Sequence, residues 1–470
     1  MTPDTDDTEP EGHITESAAA RGVATEQAAR TTFRDVFAVA EFRALWSAQL
    51  LSVAGDQLAR VALTVLVYDR TRSALLAAIT FVASVVPTFV GGVTLAWLAD
   101  RYPRRGVMIA CDLVRCGLVL VMAIRGMPVA AMVVLLFVVT LVSAPFTSAR
   151  AAVYPDVLTG DRYVVGTAVT MITNQFAQVI GFAAGGAIAG LLGTSQALVV
   201  DAATFAGSAI IVRAWVRNRP PPVRPPPSAA PLVSANTGRP RPRHAKARTG
   251  LGSGLGSGVR LVFGNPVLRT SMLFGWLAAF YNSPEGVVTP LAHSLGGGAT
   301  AVGIILAAQA LGETTGAFVF SRFITPDLRL RLMGPMAVAS CVLLLFFAFR
   351  PGLTGTIVVL CLSGLCAAYQ LAANAAFVSA TPHDRRSQAF GLAQGGMSFG
   401  QGTVMIIAGA VAEAVHPAAI IAVCGGIGSL AAVALAGSWS HRRARSAMSI
   451  RALSPADGTH DRGPLLLHVQ

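Results

Sequence analysis

The chain has 470 residues, is 53% hydrophobic and only 13% charged, and has a mean hydropathy of +0.61. A soluble protein carries about 25% charged residues, so a large water-soluble core is excluded and a polytopic membrane protein is expected. The net charge of +13 would suggest nucleic acid in a soluble domain, but here arginines sit between apolar runs and Lys246 is the only lysine, a pattern of membrane topology with no nucleic-acid partner.

Residues 1–42 are polar, with Asp4, Asp6, Asp7, Glu9 and Glu11, and read as a disordered cytoplasmic tail without a cleavable signal peptide. A helix crossing about 30 Å of hydrocarbon needs roughly 20 residues. Twelve segments qualify: 43–68, 74–98, 106–125, 128–148, 165–192, 196–216, 267–291, 299–321, 332–349, 353–380, 388–413 and 417–438. The expected fold is therefore an all-α membrane protein of twelve transmembrane helices, in an N-terminal six-helix bundle (43–216) and a C-terminal one (266–440), followed by a cytoplasmic tail (441–470). Between the bundles, residues 217–265 run from "RNRPPPVRPPPSAAP" through "RPRPRHAKAR" to "GLGSGLGSG", a stiff, then basic, then flexible cytoplasmic linker. Its basic run either contacts anionic headgroups or is simply solvated. Cys111, Cys116, Cys341, Cys361, Cys366 and Cys424 all lie in apolar stretches without a Cys-x-x-Cys pair, and read as small hydrophobes.

Arginines set the orientation. With both termini in the cytoplasm, the cytoplasmic loops hold Arg101, Arg104 and Arg105, Arg150 and Arg162, the linker cluster, Arg322, Arg329 and Arg331, and Arg385 and Arg386. The outer loops hold only Arg70, Arg72, Arg125 and Arg350.

The loop after span two, "LAWLADRYPRRGVM" (95–108), places Asp100 beside Arg101, Arg104 and Arg105 at the membrane face. A carboxylate there can accept hydrogen bonds from a helix N-terminus while the arginines find acids. Such a cluster either latches one conformation of a moving protein or only anchors the topology. The halves are weakly alike: "YPDVLTGDRYVVGTAVTM" opens span five as "TPHDRRSQAFGLAQGG" opens span eleven. Six-plus-six duplication is a transporter architecture with a site between the halves near the midplane.

"AWLADRYPRR" resembles the loop signature G-x-L-A-D-R-x-G-R-R of the major facilitator superfamily, with Ala96 and Pro103 in place of its glycines. The corresponding loop of the second half, "GAFVFSRFITPDLRLR", is degenerate, with Ser321 where the acid would be. "FRALWSAQLLSVAGDQLARVALTVLVYDRTRSAL", "SARAAVYPDVL" and "DAATF" resemble the branch of that superfamily containing the enterobactin exporter and macrolide efflux proteins. In span five, "GFAAGG" (Gly181, Gly185 and Gly186) resembles the antiporter motif G-P-x-x-G-G, with Phe182 for the proline. The resemblance implies alternating access, a gate at Asp100 to Arg105, and export. The glycines also have a packing use, since small residues let helices approach closely in lipid.

Ionisable groups at membrane depth are costly, and each is a candidate site. Asp56 lies halfway along span one, with Arg60 one turn later on the same face. Asp56 is either a proton- or substrate-binding group, or half of a closed pair with Arg60. Glu313 stands in mid-span eight, with no arginine or lysine elsewhere in that span, and suits proton exchange or a bond to a neighbouring helix. Asp112 and Arg115 read mainly as a structural pair, and Asp201, Glu285 and Glu413 as lying nearer the outer face, within reach of water. Asn174, Gln175 and Gln178 on span five, Tyr369, Gln370 and Asn374 on span ten, and Gln394 on span eleven are candidates to line a polar cavity.

The leading expectation is a secondary transporter, a monomer in the plasma membrane, exporting a small amphipathic molecule in exchange for protons and needing no cofactor or metal. Import of a small metabolite, or a sensor with a transporter fold, are the alternatives. No His-Glu-x-x-His or Gly-x-Ser-x-Gly pattern supports an intramembrane hydrolase, and no Gly-Lys-Ser/Thr loop supports ATP-driven transport.

Overall fold

The computed structural model describes residues 32–95, 97–219, 259–382 and 385–453. Most of the expected N-terminal tail, the linker between 220 and 258, the chain after 453 and the side chain of Asp100 lie outside the described residues.

Within the described residues all regular structure is helical. The first half comprises α1 (Phe33–Phe37), α2 (Ala40–Thr71), α3 (Ala74–Ala83), α4 (Val86–Thr94), α5 (Trp97–Arg101), α6 (Arg104–Met122), α7 (Val129–Val157), α8 (Asp161–Leu192) and α9 (Thr194–Trp215). The second comprises α10 (259–264), α11 (Pro266–Trp276), α12 (Ala278–Tyr281), α13 (Ser283–Gly286), α14 (Val288–Ser294), α15 (Ala299–Phe323), α16 (Pro326–Val342), a 3-10 turn (Leu343–Phe349), α17 (Leu353–Cys366), α18 (Tyr369–Ala380), α19 (Arg386–Val411) and α20 (Pro417–Leu453).

These helices make up the twelve spans, several of them broken. Span two stops at Ala83 and resumes at Val86, because Pro87 has no N–H to continue the ladder. Span seven is cut into α11 to α14 around Pro284 and Pro290, and span ten divides at Ala367 and Ala368. Nine of the described helical spans are long and apolar enough to cross a membrane unaided. Of the others, 104–122 carries Arg104, Arg105, Asp112 and Arg115, span seven is in pieces, and α19 is rich in glycine and glutamine. Span four differs from expectation: α7 continues to Val157, so Arg150 is not a loop residue but a buried one, 7% exposed, its guanidinium over the Tyr154 ring.

In the first half α2 packs on α8 and α9, and α6 on α7 and α9; in the second, α15 packs on α17, α16 on α20, and α11 on α18. The two main seams between the halves are α8 against α15 and α3 against α19. The buried apolar cluster there draws Leu58, Phe81 and Phe182 from one half and Leu291, Val302 and Ile305 from the other. Apolar side chains gain little by leaving lipid, so close packing through small residues holds such seams. On α8 the glycines do this. A Cβ at Gly181 would stand 2.8 Å from the Gln57 Cβ, one at Gly185 2.8 Å from the Leu58 Cα, and one at Gly186 2.7 Å from the Gly303 Cα. Gly181 and Gly185 thus seat α8 on α2, while Gly186 seats it on α15 of the other half.

Because the spans alternate, the loops at 72–73, 123–128, 193, 295–298, 350–352 and 412–416 share the face opposite the chain termini.

Candidate functional site

Three helices of the first half converge on Arg115. It is 1% exposed, and its guanidinium lies 3.9 Å from the centre of the Phe205 ring of α9. One terminal nitrogen donates to Asp56 of α2, and the other donates to Ser52 at 3.0 Å and lies 3.8 Å from Asp112. Asp112 is wholly buried and accepts the Ser208 hydroxyl at 2.6 Å. The pair expected between Asp112 and Arg115 is present, while the closed pair between Asp56 and Arg60 is not. Asp56 is paired with Arg115 across two helices, not with Arg60, and Arg115 is shared between two acids.

Arg60 points elsewhere. Pro87 interrupts span two, Thr88 turns its N–H to Val85, and the Ser84 carbonyl is freed; Arg60 donates to it at 3.3 Å. Its guanidinium lies 5.4 Å and 5.9 Å from the Phe81 and Phe182 ring centres, a favourable cation–π setting. Glu285 on α13 of the other half is its foremost electrostatic partner.

Asp56, Arg60 and Asp201 line one chamber of about 110 Å³ with Gln57, Thr140 and Ser143. Asp201, seven residues into α9 from the end on the face opposite the termini, is 0% exposed, because α9 packs along α2 and brings it against Gly55. Gln57 Oε1, Arg60 Nε and Asp201 Oδ2 have no protein partner, and the chamber is wide enough for a few water molecules to reach them.

The loop after span two divides its tasks. Arg104 donates to Asp156 at 2.8 Å and to the Ala152 carbonyl at 2.7 Å on α7, and Arg105 donates to the Arg213 carbonyl at the end of α9. Arg101 is exposed. These arginine bonds stay inside the first half. In the second half Arg329 donates to the carbonyls of Phe320, Ser321 and Ile324, so an arginine caps the end of α15 where Ser321 replaces the motif's acid.

On the face opposite the termini, bonds cross between the halves. Glu413 accepts the Ser73 hydroxyl at 2.6 Å and the Leu75 N–H at 3.0 Å, His293 meets Asp69 at 2.9 Å, and the Thr300 hydroxyl reaches the Gly186 carbonyl at 3.4 Å. Glu413 lies past the last residue of α19, in water. The hydrogen bonds from Ser73 and then Leu75 hold its carboxyl below the usual range. This closure is therefore favoured at pH values above the ordinary carboxylate range and lost as pH falls through the lowered value. Glu413→Ala is expected to widen the distance between spin labels at Arg72 and Val415 and to reduce the closed population by no more than about fivefold, given the exposure of the pair. An unchanged distance distribution would count against the latch.

In the second half Gln309 donates to Asn282 at 2.7 Å, where span seven is broken, one turn before Glu313. Tyr281 is in electrostatic reach of Glu313 and accepts from Gln370 at 3.3 Å. Tyr369 is corrected as a cavity candidate. It is 0% exposed, and its hydroxyl donates to the Phe274 carbonyl at 3.0 Å, tying α18 to α11. Asn174 bonds Gln49 at 3.2 Å, while Gln175 and Gln178 are half-buried. Gln370, Asn374 and Gln394 do come together, around a cavity of about 400 Å³ between α11, α18 and α19, in the half of those helices nearer the termini. The sequence reading missed Trp276 there. It also missed Arg115 as a hub, which only the folded placement of two acids around one buried guanidinium reveals.

Comparison with known proteins fits this geometry. The chain is similar to a bacterial homologue of the human lysosomal transporter Spinster, inward-facing and unoccupied, at 16% identity over 88% of this chain and 99% of that one, with a TM-score of 0.57. It is similar to the nucleoside transporter NupG (15% identity, 84% and 99% covered, TM-score 0.59) and to the POT family transporter PepTSo (14% identity, 88% and 99% covered, TM-score 0.61). At these identities the likeness is one of fold. No curated protein matches the chain. The family match covers both halves, residues 45–285 and 285–455, and the protein is thus a multi-pass membrane transporter that belongs to the Major Facilitator Superfamily.

Proposed function

We propose that the protein exports a small amphipathic molecule in exchange for protons, the rocking of its two halves exposing the cavity that α11, α18 and α19 of the second half form to each side in turn. One observation carries this reading. The halves are hydrogen-bonded to each other on the face opposite the termini, by Glu413 and by Asp69 with His293, while the 400 Å³ cavity lies toward the terminus face. The arginine distribution makes the terminus face cytoplasmic, so this conformation receives cargo from the cytoplasm. The preference for export, and for the branch of the enterobactin exporter and macrolide efflux proteins, rests on the sequence resemblance in spans one, four and six. Import by symport uses the same parts in reverse and is the second reading.

Asp56, Asp201 and Glu313 are the acids that carry protons, since Asp56 and Asp201 open on a small polar chamber and Glu313 stands half-buried in mid-span eight. The four residues at Asp100, Arg101, Arg104 and Arg105 act as the gate of the opposite conformation. The test compares deletion and overexpressing strains against a compound panel. The exported compound is then followed in proteoliposomes. Asp56→Asn and Glu313→Gln should each lower proton-driven transport at least about tenfold and spare counterflow of labelled compound, which needs no proton gradient. Full proton-driven transport in both variants would remove the coupling assignment.

A further inference from the structure

The cavity of the second half has an unusual chemical makeup for a protein with a net charge of +13: among the described residues, no ionisable side chain lines it. Its polar groups are Ser271 and Gln370, Asn374 and Gln394, and its apolar walls include Trp276 and Phe390. The Trp276 N–H donates to the Ala393 carbonyl at 3.0 Å, and the ring lies so close on α19 that a Cβ at Gly396 would stand 2.1 Å from it. The indole is therefore a fixed wall rather than a swinging one. Gln370 commits its N–H group to the Gly275 carbonyl at 3.1 Å and to Tyr281, which leaves its own carbonyl for a ligand. Asn374 and Gln394 are exposed to the cavity and bond to no described residue, so each offers two N–H donors and a carbonyl acceptor.

Resting on the transporter reading, we propose that this cavity binds a neutral ligand, with a flat apolar or aromatic part laid against Trp276 and an amide or hydroxyl group shared between Asn374 and Gln394. A charged ligand would surrender its hydration here and meet no opposite charge. A purely apolar one would leave two amides without partners. A volume of about 400 Å³ stands near the low end of small-molecule sites, so the ligand is compact, of one or two rings.

The test uses the purified full chain in detergent and three probes on one scaffold: 4-hydroxybenzanilide, and the same molecule with a trimethylammonium or a sulfonate in place of the hydroxyl. The neutral probe is expected to raise the thermal unfolding midpoint, and the two ions are not. Asn374→Leu and Gln394→Leu should each weaken the neutral probe about tenfold. Asn374→Asp should transfer preference to the trimethylammonium probe, a gain that no misfolded variant can mimic. Either ion binding the wild type as well as the neutral probe, the neutral probe failing to bind, or leucine variants binding it unchanged would each overturn the proposal. Counterflow in proteoliposomes separates the two levels. Transport that ignores Asn374 and Gln394 sinks the site and leaves the transporter; charge-selective binding without counterflow sinks the transporter and leaves the site.

Discussion

Arg115→Ala is expected to destabilise the protein by about 3–5 kcal/mol, the range for removing one partner of a buried ion pair. Arg115 is 1% exposed and serves Asp56, Asp112 and Ser52 at once. Without it Asp112, itself 0% exposed, keeps only the Ser208 hydroxyl, and Asp56 keeps no cation within bonding distance. The penalty comes from the stranded acids more than from the lost attraction. Arg115→Ala combined with Asp56→Asn and Asp112→Asn should therefore recover most of the loss, as amides need no counter-charge. Unfolding of the detergent-solubilised variants measures both. A loss below about 1 kcal/mol for the single variant, or a triple variant less stable than the single one, would show that Arg115 is not the hub. Arg60→Gln is the useful contrast: Arg60 meets one carbonyl and two rings, so its removal leaves no acid stranded in bonding contact.

Nine of the described spans were legible because lipid demands them: an apolar run long enough to cross the bilayer has no other use in a chain so poor in charge, whereas spans three, seven and eleven carry charges, breaks or glycines. Chain breaks were half legible. Pro87, Pro284 and Pro290 stand in the sequence, but whether proline bends or cuts a helix depends on what receives the freed carbonyls. At Ser84 that is Arg60, 24 positions earlier. Pairing between helices was not legible. Spacing placed Arg60 beside Asp56 because one-turn neighbours share a face, yet helix rotation in the bundle gave Asp56 to Arg115. Tyr369 fails as a cavity residue for a related reason. A polar atom on an apolar span faces either a cavity or a neighbouring backbone, and the sequence does not say which. Gln370, Asn374 and Gln394 converged because the four-residue step of α18 and the position of Gln394 on α19 set them on facing helices.

Gly186→Ala is expected to abolish most transport, by more than about tenfold, while leaving the fold intact. The added Cβ would stand 2.7 Å from the Gly303 Cα and 2.8 Å from the Ala299 carbonyl oxygen. Both are backbone atoms, so no side chain can rotate away. Ordinary carbon contacts need about 3.5–4.0 Å, and α8 and α15 must part by on the order of 1 Å. That seam is the more extensive of the two main ones between the halves, and the Thr300 bond to the Gly186 carbonyl crosses it. Parting it weakens closure of the face opposite the termini and shifts the population toward a state open there. The rest of each half is untouched, and alanine in a helix is itself favourable by about 1 kcal/mol over glycine. Gly185→Ala is the control, since its Cβ would strike the Leu58 Cα inside the first half, at 2.8 Å. That variant should lower the unfolding midpoint without changing the distance between the halves. Spin labels at Leu192 and Gly298 read the seam directly. Gly186→Ala should lengthen that distance and Gly185→Ala should not. Unchanged distance and undiminished transport in Gly186→Ala would mean that the contact between Gly186 and Gly303 does not govern closure.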